Sequence, residues 1–290
     1  MTLRLTLALW ALSAISASAQ TDVSSYYLAN PGFDAGFDYT AESTATVTQE
    51  IKTIDGWTPQ LSANYTVTGV YQWGFKGTFN NASVPATGYD GEGGGGLALS
   101  TGWDQTFAYT QTITLPAGSY TVTLPTYNGK TVTAGTSLLA WMPAGGTAVT
   151  SSVTSYPAKT WTVDRIAFTL TQPTTGTLRI GFKAASGGSA NSANIIIDYV
   201  KLVGSNMTTD KSVLNKTISK AQNLYGTGAG HGATDLKTAI DKAQTVSDDA
   251  SADMAAVVGT YNSLLAAIDI YLKQNITEDN PADYTSYIKN

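Results

Sequence analysis

The chain has 290 residues, enough for one or two domains with a sizeable core. Only 13% of its residues are charged and its net charge is −5, which excludes a strong basic footprint and with it nucleic acid or an anionic membrane as the main partner. It contains no cysteine, so disulfide scaffolds, zinc–thiolate sites, thiol catalysis and a lipid anchor on an N-terminal Cys are excluded as well.

In chain order, residues 1–19 read as a signal peptide. Arg4 supplies the positive end, Leu5 to Ile15 form a short apolar run, and Ala17-Ser18-Ala19 is a small-x-small cleavage site that leaves Gln20 as the mature terminus. The run is too short to span a bilayer as a stable helix, so an exported protein without a membrane span is expected.

Residues 20–204 follow a period of two. The segment opens on strand-like stretches at Ser25 to Asn30 and Asn30 to Asp34, with Gly56-Trp57 beyond them; Trp57 reads as core. Ile113 and Leu115 alternate with Thr112 and Thr114, and Tyr120, Val122 and Leu124 with Thr121 and Thr123. Ile166, Phe168 and Leu170 repeat the pattern, as do Leu178, Ile180 and Phe182. Such alternation means strands with one buried and one wet face. Turn signals at Pro116 to Gly118, Asn128-Gly129, Gly145-Gly146 and Pro173 to Gly176 separate them. The segment closes on Ile195 to Leu202, with Asp198 inside it. Many short strands with no helical period between them predict an all-β jelly-roll sandwich.

Over residues 205–280 the period changes to that of a helix. Leu214, Ile218, Ala221 and Tyr225 recur three and four apart and end at a capping Gly226; Leu236, Ile240 and Ala243 follow a cap at Thr234; Met254, Val257, Tyr261, Leu264, Ile268 and Tyr271 follow Ser251. This predicts a C-terminal three-helix bundle. Residues 281–290 end on Thr285-Ser286-Tyr287-Ile288-Lys289-Asn290, an echo of Ser25-Tyr26-Tyr27-Leu28-Ala29-Asn30, so a second repeat and a longer multimodular protein are expected.

Three segments in order, "YLANPGFDAGF" with the later "DGW", "QTITLPAGSYTV" and "NIIIDYVKL", make residues 24–203 resemble the carbohydrate-binding modules of the galactose-binding-like type. The helical segment resembles small three-helix modules of secreted bacterial glycan-processing proteins. The resemblance implies a structural calcium held by the acid after the opening Phe and the acid of the closing strand, here Asp34 and Asp198. Two carboxylates brought together need a neutralising cation, and backbone carbonyls would have to complete its shell of six to eight oxygens.

Sugar recognition needs flat apolar faces beside hydrogen-bonding groups, because pyranose C–H bonds stack on aromatic rings while hydroxyls seek polar partners. Six Trp and sixteen Tyr are an ample supply. Those in loop-like or Gly-rich settings are Trp73, Tyr89, Trp103 with Asp104, Tyr127 with Asn128, and Trp141, the candidate ligand-binding residues. Catalytic constellations are sparse. Asp90, Glu92 and Asp104 are the only clustered acids in the loop-rich region, and the lone His231 has no evident triad partner. The sequence thus predicts a non-catalytic module that binds polysaccharide. Two alternatives are an adhesion segment that contacts protein, and an accessory region of a glycoside hydrolase whose catalytic domain lies outside this chain.

Overall fold

The structure, a computed structural model, describes residues 19–33, 46–47, 53–61, 66–74, 78–79, 82–91, 94–102, 104–131, 133, 135–186, 193–226, 228 and 230–275. The signal segment, Asp34, Trp103 and the terminal echo lie outside these residues.

The chain begins with strand β1 (Thr21–Asp22), a helical turn α1 (Ser24–Tyr27), and strands β2 (Thr46–Val47), β3 (Thr58–Leu61), β4 (Thr66–Gln72) and β5 (Thr78–Phe79). Longer strands follow: β6 (Gly95–Thr101), β7 (Thr106–Leu115) and β8 (Gly118–Asn128). After the short β9 (Thr136–Ser137), β10 (Ala140–Pro143) and β11 (Val149–Thr150) come β12 (Trp161–Leu170), β13 (Thr174–Lys183), β14 (Ala193–Ile197) and β15 (Lys201–Ser205). Helices α2 (Ser212–Tyr225), α3 (Ala233–Asp248) and α4 (Met254–Asn275) complete the described chain.

The alternating strands form two antiparallel sheets packed as a jelly-roll sandwich. One has the order β1-β15-β8-β14-β6-β4 with β12 also paired to β8; the other runs β11-β10-β13-β7-β3 with β9 also paired to β13. β2 and β5 form a separate parallel pair. Between the sheets lie Leu97, Leu99, Val122, Ile166 and Ile195 from the first and Phe107, Tyr109, Leu178 and Ile180 from the second, all buried. Aromatic rings bridge the layers: Trp141 of the second sheet stacks on Phe168 of the first at 5.1 Å and 6°, and within the first sheet Tyr120 stacks on Phe168 at 5.6 Å and 27°.

Among the described residues one acidic side chain is buried between the sheets. The Asp164 carboxylate, on the inner face of β12, accepts hydrogen bonds from the Ser137 and Ser151 hydroxyls and, at 3.5 Å, from the Tyr156 phenol. Ser137 and Ser151 belong to segments that serve the opposite sheet, so this carboxylate ties the layers together. Three donors offset its desolvation.

The opening of the sandwich differs from the sequence reading. Ser24–Tyr27 is a turn of helix, and Asn30 to Phe33 is a tight turn with Asn30 at φ 47° and Phe33 at φ 61°. Both depart from strand because their side chains are claimed by tertiary contacts. Phe33 is buried against Trp57 with centroids 5.9 Å apart, and the Trp57 indole donates to the Asn30 carbonyl at 3.2 Å.

Helices α2, α3 and α4 form the bundle. Gly226 caps α2 with a positive φ of 51°. Thr234 and Ser251 are not the caps. Gly232, in left-handed conformation, precedes α3, and the Asp253 carboxylate accepts the Ala256 amide at the start of α4. α4 is the most apolar of the three helices. Its stripe of Met254, Val257, Tyr261, Leu264, Ile268 and Tyr271 is buried, in one core cluster with residues of α2 and α3.

The same buried cluster continues from the bundle into the sandwich. Tyr26 of α1 is the joint. Its ring meets Tyr261 edge-on at 5.1 Å, and its phenol donates to the Asp210 carbonyl while accepting the Leu214 amide. Ser25 adds a hydrogen bond to Asn262 of α4.

Candidate functional site

The outer face of the first sheet carries a second hydrophobic cluster, separate from the core. Its row can be followed strand by strand through the register: Trp161 opposite Tyr127, Tyr127 opposite Ile196, Ile196 opposite Ala98, and Ala98 opposite Gly69. Residues paired across neighbouring strands share a face, so these side chains point the same way. Tyr71 and Trp73 complete the cluster and are buried, together with Val84 from the loop that lies over this face.

Small residues make the floor on which the rings lie. A Cβ at Gly96 would overlap the Trp73 ring and come within 2.8 Å of the Ile197 carbonyl oxygen, so only glycine lets Trp73 lie flat there. At Gly69 a Cβ would come within 3.0 Å of the Tyr71 ring.

Trp161 is the hub of the exposed part. Trp73, Tyr89 and Tyr127 surround it at centroid distances of 5.9, 5.7 and 5.4 Å, inclined by 72°, 69° and 57°. Trp73 is only 8% exposed and acts as the base, Trp161 and Tyr127 are half-buried, and Tyr89 is 41% exposed. The four rings form a cup with inclined walls. Burial pushes the Tyr127 phenol above its ordinary range and the nearby Lys130 ammonium below its own.

The wall that carries Tyr89 is the tight turn Gly88 to Gly91, closed by a hydrogen bond from the Gly91 amide to the Gly88 carbonyl. Asp198 Oδ2 accepts the Tyr89 amide at 2.7 Å, and the Tyr199 phenol donates to Asp90 Oδ2 at 2.9 Å. Burial, and then the bond to Asp90, raise the Tyr199 phenol well above its ordinary value. On the far side, Lys159 donates to the Ser83 hydroxyl and the Gly129 carbonyl, both at 2.5 Å, and fixes the adjoining loops.

Of the candidate residues, Trp73, Tyr89 and Tyr127 are brought together. Trp141 is not available: it faces the core of the sandwich, 1% exposed, stacked on Phe168. Asn128 is also buried. Its side chain donates to the Tyr156 carbonyl and accepts the Lys130 amide, so it stitches a turn and offers nothing to a ligand. Asp104 is exposed but sits past the far end of β6, away from Gly96 and the cup. Trp161 and Tyr199 were missed by the sequence reading. Trp161 carries a usable signal, because it is out of phase with the inward Ile166 and Phe168 of its own strand.

Asp198 is at the rim with one oxygen taken by the Tyr89 amide, and Asp34 lies outside the described residues. Among the described residues no three His, Asp or Glu side chains converge as a metal cluster.

No protein-family profile matches the chain, and no curated protein matches it. Solved structures do. The carbohydrate-binding module TmCBM61 in complex with β-1,4-galactotriose is 18% identical, with a TM-score of 0.34, over 61% of this chain and 96% of that one. The CBM22-1 xylan-binding domain of Paenibacillus barcinonensis Xyn10C is 10% identical, with a TM-score of 0.35, over 56% and 93%. An Arthrobacter globiformis isomalto-dextranase complexed with panose is 22% identical, with a TM-score of 0.30, over 51% of this chain and 23% of that one.

Proposed function

We propose that this protein is an exported, non-catalytic carbohydrate-binding protein that grips a polysaccharide chain in the aromatic cup around Trp161. The observation that carries this reading is the convergence of Trp161, Tyr127 and Tyr89 on the outer sheet face, above a buried base of Trp73. Partly exposed aromatic rings offer C–H stacking surfaces to pyranoses, and polar residues adjoin them in the chain, Asp90 beside Tyr89 and Thr160 beside Trp161. Rings inclined by 57° to 72° to Trp161 are ill suited to a flat crystalline surface and suit a single chain. Among the described residues, Asp90 and Asp198 at the rim each accept a hydrogen bond within the fold, and this reading gives them structural roles.

A shallow cup of this kind binds weakly, with a Kd of roughly micromolar to millimolar. Further modules in a longer chain would raise the avidity. Residues 1–19 are read as an export signal, and in this proposal the ligand lies outside the cytoplasm.

The test is affinity electrophoresis and calorimetry on soluble galactan, xylan and β-glucan, with wild type, Trp161→Ala and Asp104→Ala. Retention of wild type on at least one polymer is expected. Trp161→Ala should weaken it by about tenfold, the worth of one stacking contact, and Asp104→Ala should leave it unchanged. Retention on none of them would overturn the reading and leave protein contact as the alternative. A structural calcium at Asp34 and Asp198 is part of the proposal. It is tested by melting the protein in excess chelator: a Tm that falls and recovers with added calcium supports the ion, and an unchanged Tm removes it.

A further inference from the structure

The turn that bears Tyr89 is held in an unusual way. Its two central residues, Tyr89 and Asp90, are gripped by two consecutive residues of the connection between β14 and β15. Asp198 takes the Tyr89 amide, and Tyr199 donates to the Asp90 carboxylate. That connection is itself pinned at both ends, since the Asp198 amide donates to the Pro125 carbonyl of β8 at 3.0 Å and the Val200 amide to the Pro31 carbonyl of the opening turn at 2.8 Å. Gly88 allows the close approach, because a Cβ there would come within 3.0 Å of both Asp198 Oδ2 and Trp73 Nε1.

Each bond acts on a different degree of freedom. The Asp198 bond fixes the peptide plane that precedes the Tyr89 side chain, and the Tyr199 bond fixes the other central residue of the same turn. Both acceptors are carboxylates, and charge-assisted bonds are the stronger kind. An exposed turn that would otherwise fluctuate is thereby set in one conformation.

We propose that Asp198 and Tyr199 are positioning residues that clamp the Gly88–Gly91 turn and hold Tyr89 as a preformed wall of the cup. The clamp removes the ordering cost that a loose wall would impose on each binding event. This rests on the carbohydrate-binding reading for its effect on affinity, but the clamp itself is a property of the free protein.

Two measurements on the full chain separate these. The first is hydrogen exchange of the Tyr89 amide in wild type, Asp198→Ala and Asp198→Asn. Exchange about tenfold faster in Asp198→Ala is expected, the equivalent of one lost hydrogen bond, with recovery in Asp198→Asn because the amide oxygen still accepts. The second is retention on soluble galactan and xylan gels for Tyr199→Phe, which keeps the ring and loses the donor. A severalfold loss of affinity with an unchanged Tm is expected.

Equal Tyr89 exchange in wild type and Asp198→Ala overturns the clamp. Faster exchange with undiminished affinity in Asp198→Ala and Tyr199→Phe overturns its positioning role. A wild type that binds neither polymer, nor any other glycan tested, overturns the carbohydrate reading and with it the positioning role; the exchange experiment still decides the clamp.

Discussion

At the scale of single residues, the site depends on what is missing as much as on what is present. Gly96 leaves the space in which the Trp73 ring lies, and its neighbour on the other side is a backbone carbonyl that cannot move away. Gly96→Ala is therefore expected to cost about 1–3 kcal/mol of stability, the usual range for overpacking, and to weaken glycan retention because Trp73 is pushed up beneath Trp161. Denaturant unfolding and affinity electrophoresis check the two effects. Composition and loop setting picked out Trp73, Tyr89 and Tyr127 because each lies beside turn residues. The same rule misled at Trp141: Gly145 and Gly146 belong to the turn after β10, while Trp141 within the strand pairs with the inward Leu178. Strand parity would have done better. Even-numbered residues of β12 face inward from Asp164 to Leu170, which turns Trp161 outward, and the same parity turns Tyr127 out of β8 and Asn128 in. Tyr199 left no such signal, since its role exists only after two distant segments meet.

At the scale of elements, the long strands β7, β8, β12 and β13 were legible because Thr alternates with aliphatic or aromatic residues along them. The short strands at Thr46–Val47, Thr136–Ser137 and Val149–Thr150 were not, as two residues carry no period. Ser24–Tyr27 has strand-like composition and becomes a helical turn because its tyrosines are drawn into the bundle. Helix boundaries were read from capping chemistry, which located Gly226 and misplaced the other two caps. The structure assigns the start of α4 to Asp253, whose carboxylate accepts the Ala256 amide at 2.8 Å. Asp253→Ala should cost about 1 kcal/mol, and Ser251→Ala clearly less, since the Ser251 hydroxyl donates to Asp249 in the preceding turn. Urea unfolding of both variants would show the order.

At the scale of the molecule, sandwich and bundle share one buried cluster joined through Tyr26. A single calorimetric transition is expected for the two; two separated transitions would show that the joint is weak. The joint also predicts a response to alkali. Burial, then for Tyr27 the nearby Asp210, raise the phenols of Tyr26, Tyr27 and Tyr120 above their ordinary value of 10. A raised folded-state pKa means that the unfolded chain gives up these protons first. The stability they contribute is complete below about pH 10 and is lost as pH rises beyond it. Melting temperatures should fall over that range, and Tyr27→Phe should flatten the fall by removing one of the ionising groups.

The placement of β1 and α1 has a kinetic consequence. Ser24 bonds to Leu202 across 178 positions, and Ser25 to Asn262 across 237. The edge of the sandwich cannot close until Leu202 is present, and the joint not until Asn262 is. Contacts this distant in sequence impose a high contact order and slow folding, in the range of milliseconds to seconds. Until the edge closes, β1 waits without its partner strand β15.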